Sequence, residues 1–561
     1  MSVGTRILAV GRPVARSYRD IAMKRLYRSF AITLIGCDIA ITEPIVPSIP
    51  TTRSFKLYRP DGKVKDLDMT TARRYLSLSV LIGAVLLLTI DATVLHLAVP
   101  ALARDLDPTA TQVLWIGDIY SFAIAGLLVT MGNLADRVGR KKLLLIGAAA
   151  FGAASVLAAF APSAEILIAA RLLLGVAGST LMPSTLSLIR NIFTDPKERT
   201  RAIAVWSAAA ASGIALGPLV GGLLLEHFWW GSVFLVNVPV MLAVIALGWW
   251  VLPESKNPSP HRLDLISSAL SMLAIIPFVY AIKQIAGGSF GVPAVIALAV
   301  SVVGAVWFVR RQRRSADPMI DVELFRNRSF SGAVAVNFIS VFAMSGVLFF
   351  FSQYLQLARG LGALDAGLAQ LPAAIASMLA ITAVGFLLAK LGRGRAIALA
   401  LTVGAVGLLV VGLVEGSEHL SLVLIAMVPL GFGIGISETL SVDAVVSAVP
   451  QEKAGAASSI SETAYELGAA MGIAVLGSVV TAIYRFGLPA GTPEAARDSL
   501  ATAVAALPEG HALEAAREAF VVAMQSTTLI AAGVMLAGAA VAFFLIPSVR
   551  ASREVVASKV S

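Results

Sequence analysis

From residue 76 to residue 546 the chain alternates long apolar runs with short polar loops, and the runs are of similar length. They fall near 76–98, 112–133, 143–161, 165–188, 202–224, 232–252, 264–284, 291–309, 330–356, 366–389, 396–414, 421–447, 463–484 and 526–546. Each is close to the roughly 20 residues that an α-helix needs to cross a hydrocarbon core. The pattern predicts an all-α polytopic membrane protein with fourteen transmembrane helices. One loop is long, 485–525, and lies on the side opposite the basic loops. Within it, Thr492-Pro493-Glu494 reads as an N-cap, a first-turn proline and an acid at the positive end of a helix. Two short amphipathic helices, separated by Leu507-Pro508-Glu509-Gly510, are expected to cap the outer mouth.

Composition agrees. The chain is 57% hydrophobic and 14% charged, where a soluble domain is nearer half and a quarter. Its net charge of +10 does not form one basic patch with interleaved aromatics, which argues against nucleic acid as a partner. The cations fall in alternate loops instead. One group is Arg137, Arg140, Lys141 and Lys142; the next is Arg190, Lys197, Arg199 and Arg201; then come Arg310, Arg311, Arg313, Arg314, Arg326 and Arg328, and then Lys390, Arg393 and Arg395. The positive-inside rule puts these loops and both termini in the cytoplasm. A single cysteine, Cys37, excludes a disulfide framework. His96, His227, His261, His419 and His511 show no metal-ligand spacing. With no P-loop and no nucleophile–base pair in any loop, neither an ATPase nor another enzyme is expected.

Residues 1–75 read as an N-terminal cytoplasmic extension, basic and rich in Arg, Tyr and Pro. Its apolar patch, Phe30–Ile41, is interrupted by Asp38 and is too short to span. Met69-Thr-Thr-Ala-Arg-Arg-Tyr is a natural start, with two arginines just before the first span, and the working protein is expected to begin there. The remaining divisions are a six-helix half at 76–252, two inserted helices with cytoplasmic linkers at 253–329, a second six-helix half at 330–546, and a cytoplasmic tail at 547–561. An internal repeat supports them. Gly132-x6-Gly139-Arg140 recurs as Gly385-x6-Gly392-Arg393, with Ala389 and Lys390 replacing Asp136 and Arg137. Gly213-x3-Gly217 recurs as Gly468-x3-Gly472. Parallel six-helix halves are an architecture of rocker-type transporters, with the site between them near the midplane.

On these residues the chain resembles the fourteen-span drug:proton antiporters of the major facilitator superfamily. The central-loop motif of that superfamily matches Gly132, Asp136, Arg137, Gly139, Arg140 and Lys141. The first-helix motif of the fourteen-span group is similar to Ile90-Asp91-Ala-Thr93-Val94-Leu-His96-Leu-Ala98-Val99-Pro100, with His96 in place of Asn. The fourth-helix motif is similar to Arg171-x3-Gly175-x2-Gly178. The fifth-helix antiporter motif is similar to Gly213, Gly217, Pro218, Gly221 and Gly222, and is followed by Phe234-Leu-Val-Asn237-Val-Pro239. Trp115-Ile-Gly-Asp118-Ile-Tyr120 and Ser461-Glu462-Thr-Ala-Tyr-Glu466-Leu-Gly468 resemble most the QacA/SmvA/LfrA branch. The resemblance implies a major facilitator fold and proton-coupled export of lipophilic cationic drugs, dyes and quaternary ammonium biocides from the bacterial plasma membrane. It implies a monomer with no cofactor beyond the proton gradient. The tenth span lacks the acid of the QacA pattern, which weighs against divalent cations. Export of another substrate, such as a lipid, a siderophore or a self-made antibiotic, is the alternative, although such substrates need fewer buried acids.

Charges deep in a span cost about 2.5–3.5 kcal/mol on insertion scales and mark function by default. Asp91, Asp118 and Arg171 lie at similar expected depths, roughly 10 Å below the outer surface. Asp91 is read either as a proton and cation acceptor tuned by Arg171 or as half of a structural ion pair. His96 is read as a polar interfacial residue. In the second half, Glu462 and Glu466 share one helix face and repel if both are ionised, so the pair tends to hold a proton that an arriving cation can displace. Glu438 is a deep acid with either role open, and Asp443 reads as solvated. The glycines of the fifth span either control leak or allow close helix packing, and the two are compatible. Trp115, Tyr120, Phe122, Trp206, Phe349, Phe350, Phe351 and Tyr354 are candidate aromatic walls for a cation, though each alone reads as packing. Asp136, with Arg137 and Arg140, is expected to form a latch against the positive end of the thirteenth span.

Overall fold

The computed structural model describes residues 56–58, 64–66, 69–256, 264–286, 291–315, 318, 320–450 and 454–548. The Phe30–Ile41 patch and most of the C-terminal tail lie outside them. A short antiparallel hairpin pairs Lys56–Tyr58 with Val64–Asp66. Fourteen helices among the described residues are long and apolar enough to cross a membrane. They are α1 (Thr71–Leu106), α2 (Ala110–Val138), α3 (Arg140–Ala159), α4 (Ala164–Ile192), α5 (Arg201–His227), α6 (Ser232–Val251) and α7 (Leu265–Ile285), followed by α8 (Val292–Arg314), α9 (Arg328–Ala358), α10 (Ala363–Leu391), α11 (Arg393–Val414), α12 (Leu420–Ser447), α13 (Ala456–Gly487) and α14 (His511–Leu545).

Local chemistry sets several ends. The Thr70 side chain accepts from the Arg73 N–H at the start of α1. Thr109 and Gln112 form a capping box at the start of α2, which satisfies two otherwise orphaned donors. Some elements outrun the apolar pattern. α1 continues through Pro100 to Leu106 and stops where Asp107 turns left-handed, at φ 43°. The second expected amphipathic helix is instead the first part of α14, because Leu513, Ala516, Phe520 and Ala523 continue its buried stripe without a breaker. Thr492 is no cap: its hydroxyl donates to the Pro489 carbonyl, and Pro493 is the N-cap of the short helix Glu494–Arg497.

The packing repeats itself. α1 lies against α5, α2 and α3 against α4, and α3 against α6. In the same way α9 lies against α13, α10 and α11 against α12, and α11 against α14. Two seams join these six-helix halves, α5 on α10 and α13 on α2. The inserted pair α7–α8 breaks the symmetry, because α7 lies along the α2–α13 seam and touches both helices.

The face that carries the 132–142 loop is here termed the loop face, and its opposite the far face. At the far face the halves meet closely. The Gln356 side-chain amide donates to the Leu97 carbonyl at 3.1 Å, and the Ala110 N–H donates to Asp498 at 3.2 Å. A methyl group on Gly222 would touch Leu364 Cα at 2.8 Å. At the loop face, ion pairs join elements within one half: Arg74 with Glu198, and Arg393 with Asp443.

Candidate functional site

The deep charges of the first half are neutralised. Arg171 Nη1 donates to Asp91 Oδ2 at 3.1 Å, and Asn237 Nδ2 donates to Asp91 Oδ1 at 2.6 Å. Arg171 Nε also donates to the Ile116 carbonyl at 3.2 Å, and its guanidinium lies 4.5 Å from the centroid of the Tyr120 ring. Asp91 is 0% exposed and Arg171 1%. This buried charge is hydrogen-bonded at both oxygens, which is how an ion pair survives in a low dielectric. In this structure Asp91 is one half of a buried ion pair. Asp118 does not join this pair. It turns to α7, where Lys283 Nζ lies 3.0 Å from Oδ1 and 2.8 Å from Oδ2. His96 is half-buried, with its ring edge-on to Phe349 at 5.3 Å.

The second half contrasts with the first. Glu438 on α12 and Glu462 and Glu466 on α13 are half-buried and close enough that Glu462 feels both of the others. No salt-bridge partner stands against any of the three among the described residues. Tyr465 lies within electrostatic range of all three. Tyr120 lies within electrostatic range of both Asp91 and Glu466. Counting 1.5 Å per residue from the start of α13, Glu462 is about 9 Å and Glu466 about 15 Å along the helix. Asp443, expected to be solvated, is exposed and also pairs with Arg393 at 2.8 Å.

The 132–142 loop is pinned within its own half. Gly139 has φ 120°, a conformation side chains rarely adopt, and Glu254 leaves no room for a methyl group there. Glu254 accepts from the N–H groups of Lys141 and Lys142 at 3.3 and 3.2 Å. An acid at the positive N-terminus of α3 stabilises it by about 0.3–1 kcal/mol. Arg140 Nε donates to Asp136 Oδ1 at 2.9 Å, and the Arg140 N–H donates to the Ser255 carbonyl. Arg137 is exposed and Lys141 Nζ donates to the Trp249 carbonyl at 2.6 Å. Gly132 packs on Pro183. Asp136 is thus held by Arg140; residues 451–453, just before α13, lie outside the described residues. The second half repeats the device, with Gly392 at φ 73° against Ser548, in the segment that follows α14.

The α5 glycines serve two interfaces. Gly213, Gly217 and Gly221 sit on Thr89, Thr93 and Val94 of α1, where a Cβ would collide. Gly222 and Pro218 face Ala363, Leu364 and Gly367 of α10, across the halves. Gly468 and Gly472 likewise seat α13 on the Phe338 and Phe342 carbonyls of α9. Gly175 meets the Tyr120 backbone and Gly178 meets Leu88. Of the aromatic candidates, Tyr120, Phe122, Phe349, Phe350, Phe351 and Tyr354 are buried, while Trp115 and Trp206 keep part of their surface exposed.

Sequence reasoning assigned no role to Asn237, Lys283 or Glu415. Asn237 stood in a quoted motif. Lys283 carries the signal of a charge in a span, one residue from the end of the expected 264–284 run. Glu415 lay in a short polar loop and gave no signal.

The chain matches the Major Facilitator Superfamily over residues 81–473. It is 48% identical over 484 residues to "Multidrug efflux pump LfrA" of Mycolicibacterium smegmatis, covering 84% of this chain and 96% of that protein. It is 36% identical over 477 residues to "Methyl viologen resistance protein SmvA" of Salmonella typhimurium, covering 83% and 96%. Among solved structures, the inward-facing, unoccupied form of a bacterial homologue of the human lysosomal transporter Spinster aligns with TM-score 0.61 and 16% identity, covering 85% of this chain and 98% of that one. At that identity the likeness speaks for the fold. Fourteen spanning helices, repeated six-helix packing and these relatives lead to one conclusion: the chain is a multi-pass membrane transporter that belongs to the Major Facilitator Superfamily, among its multidrug efflux pumps.

Proposed function

We propose that this transporter is a proton-coupled antiporter of the bacterial plasma membrane, working as a monomer, that exports lipophilic cations, and that Glu438, Glu462 and Glu466 are the carboxylates where proton and drug exchange. The observation that carries this reading is the difference between the halves. Asp91 and Asp118 each have a basic partner; the α12–α13 acids have none among the described residues, so they attract positive charge from outside the fold. Two like charges about 6 Å apart repel by roughly 3 kcal/mol at an effective dielectric of 20. The cluster therefore retains a proton or an organic cation in preference to standing fully ionised. The name of the SmvA relative refers to methyl viologen, an organic dication; it supports organic cations as the substrate class and speaks against the expected exclusion of divalent ones.

Basic loops in the cytoplasm make the far face the outer one. Contact between the halves there then closes the outer gate, and this is the inward-facing state, in which a drug enters from the cytoplasm or inner leaflet and displaces a proton. Rocking of the halves opens the site outward, where a new proton releases the drug. The Asp136 loop, held in its own half here, would meet the start of α13 in the outward state and hold it. Exchange of one proton for one monovalent cation draws on the pH gradient alone. A second proton adds about 2.3 kcal/mol per 100 mV.

The test is ethidium or benzalkonium movement in proteoliposomes with an imposed pH gradient. Uptake that follows the gradient and is lost in Glu462→Gln/Glu466→Gln supports the reading. Protein that moves no cation under any gradient refutes it.

A further inference from the structure

α7 belongs to neither repeated half, yet it lies along the α2–α13 seam, an interface between the halves. It is joined to α2 along its length, by Ser268 with Thr130, Met272 against Gly126, and Lys283 with Asp118. The last contact has a second component. Lys283 Nζ lies 3.6 Å from the centroid of the Trp115 ring while it faces both carboxylate oxygens of Asp118. Its side chain is fully buried, and Phe122, Val279, Ala470 and Ala474 form an apolar cluster beside it, against which Trp115 packs.

A carboxylate, an indole face and an apolar wall are what recognise an organic ammonium ion. An ion pair that served only to join two helices would need no aromatic face on the cation. Trp115 also keeps part of its surface exposed, so the indole borders open space as well as the buried pair. We propose that Asp118 and Trp115 form a second cation subsite at the α2–α13 seam, and that Lys283 is a tethered competitor that fills it until a cationic substrate displaces the ammonium group. The inserted helices thereby set how tightly a cation is held on the first-half side of the site. This rests on the reading of the transporter as a cation exporter.

The experiment is equilibrium binding of ethidium to the full-length protein in detergent, followed by fluorescence anisotropy. Lys283→Gln removes the charge but keeps a hydrogen bond to Asp118, and Lys283→Met removes both. Each is expected to bind ethidium about thirtyfold tighter than wild type, the scale of a cation–π contact between desolvated groups. The gain should vanish in Trp115→Leu/Lys283→Gln and in Asp118→Asn/Lys283→Met. Unchanged or weaker binding by folded Lys283→Gln overturns the proposal, as does a gain that survives Asp118→Asn. Should both single variants fail to fold while Asp118→Asn/Lys283→Met folds, the pair is a structural staple and the proposal is equally overturned. Wild-type protein that binds no ethidium is a different outcome, since it rejects the exporter reading itself.

Discussion

At the scale of single residues, what matters is whether a buried charge has a partner. Asp91 is enclosed by Arg171 and Asn237, so Asp91→Asn leaves a guanidinium buried without its counter-ion. A loss of about 3–5 kcal/mol is expected, read as a large drop in thermal stability in detergent. Asp91→Leu/Arg171→Met, which removes both charges, should recover most of it. Full stability in Asp91→Asn would show that the pair is not structural. Glu415, in the loop after α11, tests burial differently. Its carboxylate meets the Thr528 hydroxyl at 3.3 Å, while its carbonyl accepts from Tyr354 and Arg359. Burial pushes the Glu415 carboxyl up to about 8, against the opposing effects of Thr528 and Arg359. The fold therefore prefers the protonated form. That contribution is complete below about 4.5, the ordinary value, and is lost as pH rises through about 8. Glu415→Gln should be close to neutral at pH 5 and stabilising by at least about 1 kcal/mol at pH 8.5. Thermal unfolding at the two pH values reads the difference, and an equal effect at both contradicts it. Matched depth put Asp91, Asp118 and Arg171 within reach of one another, and the family resemblance rather than the spacing supported the Asp91–Arg171 pairing. The burial of Glu415 was not legible in the chain, because it arises from residues of α9 and α14 that are distant in sequence.

At the scale of elements, helix number and order followed from the apolar runs, whereas ends did not. α1 and α14 extend past their apolar windows because helical hydrogen bonding and packing outside the core continue where hydropathy stops. The α5 glycines show how much a small residue specifies. Gly217 has no room for a methyl group against Thr93, and Gly222 lies on α10 of the other half. Gly217→Val is expected to lose about 1–3 kcal/mol through overpacking in every state of the transporter. Gly222→Val instead wedges the closed far face, so a cysteine placed on neighbouring α10 should label faster with a membrane-impermeant maleimide than in an otherwise wild-type background. Equal labelling rates would show that this contact does not close the gate. Glu254, which caps α3, was absent from the expected motif because its partners are backbone N–H groups. Glu254→Ala should lower stability by about 0.5–2 kcal/mol and weaken export, as Asp136→Asn should through the paired Arg140. Thermal unfolding beside dye efflux from cells checks both.

At the scale of the whole molecule, two similar halves carry dissimilar charge. The repeated helix pairings were foreshadowed by the recurring glycines, but the allocation of ion partners was not. Nothing in a linear pattern of acids says which of them will meet Arg171 or Lys283 and which will meet none. Of the acids expected to take part in exchange, that allocation holds Asp91 in an ion pair and leaves the α12–α13 acids without a basic partner among the described residues. The most direct test is proton release on drug binding, measured with a pH indicator in weakly buffered detergent solution at fixed protein concentration. Ethidium added to the wild-type protein should release protons in step with saturation of binding, and Glu462→Gln/Glu466→Gln should release none. Binding without proton release, or release undiminished in that variant, would contradict the account.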